Sequence, residues 1–163
     1  MAKTLGELTA AIERAITSLP GIVGTEAVNF SKERFVEQDW FGSARSTWKL
    51  RSCNRRGGKK RQNGAVLVDS GRLKRSIRVV SSSPERVVVG TDVPYAQIHN
   101  DGFEGTVHVK AYMRKSKKGT RINVREHDKN MKMPKRQFVG ESDELNRRLE
   151  RAIVDEIKYA ITL

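Results

Sequence analysis

The densest chemistry in the chain lies in PYAQIHNDG, Pro94 to Gly102, where Tyr95, His99, Asn100 and Asp101 fall close together. A histidine beside a carboxylate and a phenol is raw material for general acid–base catalysis or for a metal site. Either chemistry needs further partners at workable spacing, and the chain does not supply them locally. Of its three histidines, His99, His108 and His127, no two form an i, i+4 helix pair, and there is no HExxH. No GxSxG elbow occurs, and the single cysteine, Cys53, has no His or Asn placed by a local signature. RRGGKKRQNG sets glycines near lysines but lacks the spaced glycines leading into Lys-Ser/Thr that cradle a phosphate. No catalytic set, cofactor or metal is therefore expected. The plainer chemistry is structural. Tyr95 and His99, four apart on one helical turn, share a side and can bury their rings while their polar tips meet backbone. Asn100-Asp101-Gly102 tolerates the positive φ of a tight exit.

The elements that would hold such a corner come from a chain of 163 residues, enough for one domain spanning 1–163. Hydrophobic residues make up 37% and charged residues 31%, so polar arms around a modest core are expected. The net charge is +13 and unevenly placed. Residues 1–40 and 137–163 each hold four basic and six acidic residues, whereas 41–136 hold 24 and seven. A polycationic middle between ordinary solvated ends favours nucleic acid, a membrane surface or an acidic protein. No apolar run reaches the roughly 20 residues that cross a bilayer, so no membrane partner is expected. The start, MAKTLGELTAAIERAI, is broken by Glu7, Glu13 and Arg14 and does not read as a signal peptide. One thiol makes no internal disulfide, which suits a reducing cytoplasm.

TLGELTAAIERAITSLP predicts a helix with a Thr4/Glu7 capping box and an apolar stripe of Leu5, Leu8, Ile12, Ala15, Ile16 and Leu19. Pro20-Gly21 should end it, and a second helix from about Thr25 to Gln38 would complete a helical hairpin over 4–38. Residues 51–64, with six basic residues and three glycines, read as a mobile basic loop. Asp69 or Ser70 can cap a short helix holding Leu73 and Ile77. SIRVVSSSPERVVVGTD is a β-hairpin around Ser83-Pro84-Glu85, and a second, basic hairpin protrudes over 105–126 with its turn at KSKKG. HDKNMKMPKRQFVG reads as extended. Ser142 caps a C-terminal helix, 142–161, with Leu145, Leu149, Ala152, Ile153, Ile157, Ala160 and Ile161 as its stripe. The fold class is α+β: an antiparallel sheet of two hairpins, over 77–126, packed with an N-terminal helical hairpin and a C-terminal helix.

The basic segments 51–61 and 110–136 raise a nucleic-acid-binding alternative, in which Arg51, Arg55, Arg56, Lys59, Lys60, Arg61, Lys115, Lys117 and Lys118 would contact phosphates or an acidic partner. Aromatic residues are only 6%, the loop has none to stack on bases, and no helix-turn-helix or RNA-binding signature is present.

Four segments in order resemble one family, the Mu-type phage virion morphogenesis or tail completion proteins: DWFGSARSTWKL, LVDSGRLKRSI, VVVGTDVPYAQIHNDG and MPKRQFVGESDEL. The residues that carry the resemblance are Trp48 and Leu50; Leu67, Gly71, Leu73, Ser76 and Ile77; Val89, Gly90, Thr91, Tyr95, Ala96, His99 and Gly102; and Pro134, Arg136 and Phe138. Gln137 stands where the family pattern has a second proline, and the basic stretch 103–133 is long for it. The resemblance implies a non-enzymatic structural protein of a tailed phage or prophage, made in the host cytoplasm and built into the virion at the tail or head–tail junction. It also implies a homo-oligomeric ring, with a hexamer as one option, that contacts other tail or connector proteins and touches DNA non-specifically at most.

Overall fold

A computed structural model describes residues 4–50, 65–117 and 119–162. Along the chain run α1 (Leu5–Glu37), β1 (Asp39–Phe41), β2 (Arg45–Thr47), α2 (Arg72–Ser76), β3 (Arg78–Ser82), β4 (Val87–Gly90), α3 (Ala96–Asp101), β5 (Phe103–Val109), β6 (Tyr112–Lys115), β7 (Arg121–Val124), β8 (His127–Met133) and α4 (Asp143–Thr162). The α+β class holds, with a long N-terminal helix, small antiparallel sheets and a C-terminal helix.

The helical hairpin does not form. Residues 5–37 are one helix with Pro20 inside it. Proline removes the N–H that would bond to Ile16, a local penalty of about 3 kcal/mol. Packing along both halves outweighs it. Beside Pro20 the Ser18 hydroxyl meets Glu156 Oε1 of α4 at 2.8 Å. Farther along, Gly24 is buried against the β3–β4 ribbon, where a Cβ would stand 2.8 Å from a Val79 methyl. The start is as the sequence predicts: Glu7 N–H donates to Thr4 Oγ1 (3.3 Å) and Thr4 N–H to Glu7 Oε2 (2.8 Å). At the other end Gln38 adopts φ +58, and its side chain bonds both backbone polar groups of Val66. That clip holds the chain beyond residues 51–64 against the end of α1.

The strands form four separate two-stranded ribbons among the described residues, not one sheet of two hairpins. β3 and β4 make the first expected hairpin, closed by reciprocal backbone bonds between Ser83 and Arg86. The second is longer than 105–126. β5 pairs with β8 from Phe103↔Met133 to Val109↔His127, and β6 with β7 from Tyr112↔Val124 to Lys115↔Arg121. HDKNMKM is therefore a return strand, with Met131 and Met133 on the face of Gly105 and Phe103. The arm, residues 103–133, would reach about 40 Å if straight.

α4 packs antiparallel on α1, joined by Ser18–Glu156 and by Arg148 Nη1 to Glu33 Oε2 at 2.8 Å. Ser142 caps it, accepting from Leu145 N–H at 3.1 Å. Its stripe is half-buried, and Ile161 lies exposed.

Candidate functional site

The segments that carry the family resemblance converge on one core. Trp48, Leu73, Ile77, Ala96 and Phe138 are buried together with Phe35, Val66 and Val93. Phe35 meets the edge of Trp48 at 5.4 Å between centroids and Phe138 at 5.1 Å. Each fully buried phenylalanine contributes about 1.5–3 kcal/mol by leaving water. Trp48 spends its indole N–H on the Gln137 carbonyl at 2.9 Å.

Polar members of the motif lock the elements around that core. Gly71 takes φ +70 at the start of α2. Gly71 itself is the N-cap, with no side-chain cap bond, so the cap expected from Asp69 or Ser70 does not form; Ser70 Oγ instead accepts from Arg72 N–H, two residues on, at 3.3 Å. Ser76 lies 2.5 Å from Thr91, and the two hydroxyls form a relay. Val93 N–H donates to Thr91 Oγ1 (3.1 Å), and Ser76 Oγ donates to the Leu73 carbonyl (2.8 Å). With Thr91 donating to Ser76, every hydroxyl is used once in each role. Gly90 ends β4 with Val80 close by.

PYAQIHNDG forms α3 and its exit. Tyr95 and His99 do share a side, with rings edge to face at 5.8 Å, although Tyr95 is half open to water. Asn100 does more than turn the chain. Its Oδ1 accepts from Phe138 N–H and Val139 N–H, both at 3.0 Å, while its amide donates to Asp101 at 2.8 Å. Arg136 N–H donates to the His99 carbonyl at 2.8 Å. The segment after β8 is thus stitched to α3. Gly102 has φ +79, and a Cβ there would stand 2.9 Å from Lys135 N and 3.1 Å from the Met133 carbonyl, so only glycine fits. Arg136 is buried, and its Nε donates to the Lys49 carbonyl at 3.0 Å. Pro134 is half-buried where β8 ends. The motif residues therefore form a core and the clamp at the root of the arm.

A second network escaped the sequence. Asp39, 1% exposed, receives Arg34 Nη1 at 2.7 Å and also pairs with Arg45 Nε. Phe30 packs edge on to Trp40, under the Arg34 and Arg148 guanidiniums. Arg148 bridges Glu33 and Glu144. Burial works against its charge, but the bonds to Glu33 and Glu144 outweigh it and raise its pKa. Hydrogen bonds from Arg148, then Arg147, lower that of Glu144. An Arg and an Asp five apart across a helix end were the only signal, and charges at such spacing are usually solvated.

Catalytic geometry is thin. A cleft of about 250 Å³ is lined by Trp40, Ser46, Thr47, Trp48, Lys135 and Gln137, with no carboxylate or histidine among them. His108 Nδ1 pairs with Asp128 at 2.8 Å and His127 Nδ1 lies 2.9 Å from the Arg125 carbonyl, both on the open arm. Among the described residues no cluster of His, Cys, Asp and Glu could hold a metal, and no helix is long and apolar enough to cross a membrane. Of the candidate polyanion contacts, Lys115 on β6 and Lys117 in the tip are exposed. Arg51, Arg55, Arg56, Lys59, Lys60, Arg61 and Lys118, and with them the basic loop 51–64, lie outside the described residues.

Fold and site together define a small α+β protein whose motif builds a core and anchors a projecting basic ribbon. The chain matches the phage virion morphogenesis family over residues 1–158 and belongs to that family. No curated protein and no solved structure matches it.

Proposed function

We propose that the chain is a non-enzymatic structural subunit of a tailed phage or prophage, a tail completion or head–tail connector protein that works as a ring. Family membership across nearly the whole chain carries this reading. A motif used for packing and for seating the arm supports it. The subunit would be made in the host cytoplasm and enter the virion, its basic segments contacting acidic faces of neighbouring subunits or tail proteins. Electron microscopy of particles made without the chain tests it. Heads and tails left unjoined, or tails without finished ends, are expected; normal infectious particles would overturn it.

One observation favours a second reading. Residues 110–126 carry seven basic side chains and one acidic, with Tyr112 and Lys115 exposed, a ribbon able to meet phosphates. Titration of labelled duplex across a salt series separates the two. Tight binding at physiological salt that arm neutralisation abolishes would favour nucleic acid.

A further inference from the structure

The proximal half of the arm has two unlike faces. On one, each polar side chain is satisfied across the ribbon: Lys132 Nζ to Glu104 Oε1, Thr106 Oγ1 to Asn130 Oδ1, and His108 Nδ1 with Asp128 Oδ1, all at 2.8 Å. The other carries Phe103, Val107, Val109, Met131 and Met133, all half-buried, with the Phe103 ring lying over Gly105; the exposed Lys129 and His127, opposite Val107 and Val109, are its polar members. Beyond it, Tyr112 and Met113 of β6 are 47% and 66% exposed. A two-stranded ribbon is marginal alone in water, and an apolar ribbon face calls for a cover.

The α1–α4 pair offers one of matching chemistry. Because the helices are antiparallel, the start of α1 and the end of α4 share one end of the pair. There Leu5 and Ile16 of α1 and Val154 of α4 are 81%, 52% and 44% exposed, while Tyr159, 63% exposed, lies about 140° around α4 from Val154; the carboxylates of Glu13 and Asp155 are open on the two helices. The charges are complementary: residues 103–133 hold nine basic and three acidic side chains, the two helices seven and ten.

We propose that the arm of one copy lies, apolar face down, across the α1–α4 pair of a second copy of this chain. The proposal rests on the reading of the chain as an assembly subunit and names the contact that would join its copies. It links two different surfaces, so it repeats head to tail and closes into a ring or grows as a filament. A ribbon about 40 Å long and roughly 10 Å wide covers about 400 Å², half of what one side of a stable interface buries. One such contact is weak, and each subunit must make two, one with its arm and one with its helices.

The test uses the full chain with Cys53 replaced by serine. Copies of natural isotope content are mixed with ¹⁵N copies, and lysines are joined to carboxylates by a zero-length carbodiimide. Mixed-isotope peptides linking Lys110, Lys115 or Lys117 to Glu13 or Asp155 are expected. Links within single copies only, or none, would overturn the docking. In sedimentation, reversal of Lys115, Lys117 and Arg121 to Glu should weaken self-association about tenfold. Adding Glu13→Lys and Asp155→Lys to the same chain should restore it. Self-association indifferent to the arm, or a monomer at every concentration, would overturn it. Particles that still incorporate the arm-reversed chain would overturn the docking and leave the morphogenesis role standing; absence of the parent chain from all particles would sink that role instead.

Discussion

Asn100→Ala gives the sharpest test of how the corner is held. The Asn100 Oδ1 is the acceptor for two consecutive amides, Phe138 and Val139, each at 3.0 Å, and Phe138 is 1% exposed. Leaving one buried amide without an acceptor costs about 1–3 kcal/mol. Two neighbouring amides that water can partly reach should cost about 2–4 kcal/mol together. In a chain of this size that lowers Tm by roughly 5–15 °C. Urea unfolding measures it directly, as a lower midpoint at unchanged slope. Asn100→Asp is the control. It keeps an oxygen for both amides, loses the bond to Asp101 and sets two carboxylates side by side, so its loss should stay near 1 kcal/mol. If Asn100 merely turned the chain, alanine would cost little. A loss below about 0.5 kcal/mol for alanine, or an aspartate as damaging as alanine, would refute the clamp.

Three further outcomes are expected. Gly102→Ala combines φ +79 with a Cβ that meets the backbone of Lys135 and Met133, and should lose about 2–4 kcal/mol in urea unfolding. Pro20→Ala restores the missing N–H within α1 and should stabilise by about 1–3 kcal/mol; a loss would mean that the proline bend seats α1 on its neighbours. Bonds from Arg148 and Arg147 lower the pKa of Glu144 below its ordinary 4.5, so its contribution is complete above that pH and fades as pH falls through the folded value. Stability followed below pH 4.5 should therefore decline less in Glu144→Gln than in the parent.

Much of the fold was legible from local chemistry. The Thr4/Glu7 box, the Ser83–Arg86 turn, the Ser142 cap and the periodic stripe of α4 depend on neighbours within a few residues. What was missed depends on distant partners. Pro20-Gly21 carries every mark of a helix end, yet the helix runs through it, packed on α4 and the β3–β4 ribbon. Strand β8 hid because its sole apolar residues are Met131 and Met133 among Lys, Asn and Asp, and its apolar face is completed by β5. In the corner, the edge-to-face approach of Tyr95 and His99 followed from their i, i+4 spacing. Asn100 was legible as a turn residue, but its grip on Phe138 and Val139 spans 38 residues and has no local signature. The same holds for Gln38, whose side chain clips Val66.

This chain belongs to the phage virion morphogenesis family, and we propose that it is a structural part of the particle, at the tail or its junction with the head. Imaging of purified particles carrying an electron-dense label on the chain tests it most directly. Label confined to a single axial position, at the tail end or the head–tail junction, is the expected result. Particles without label, or label spread over the capsid, would contradict it.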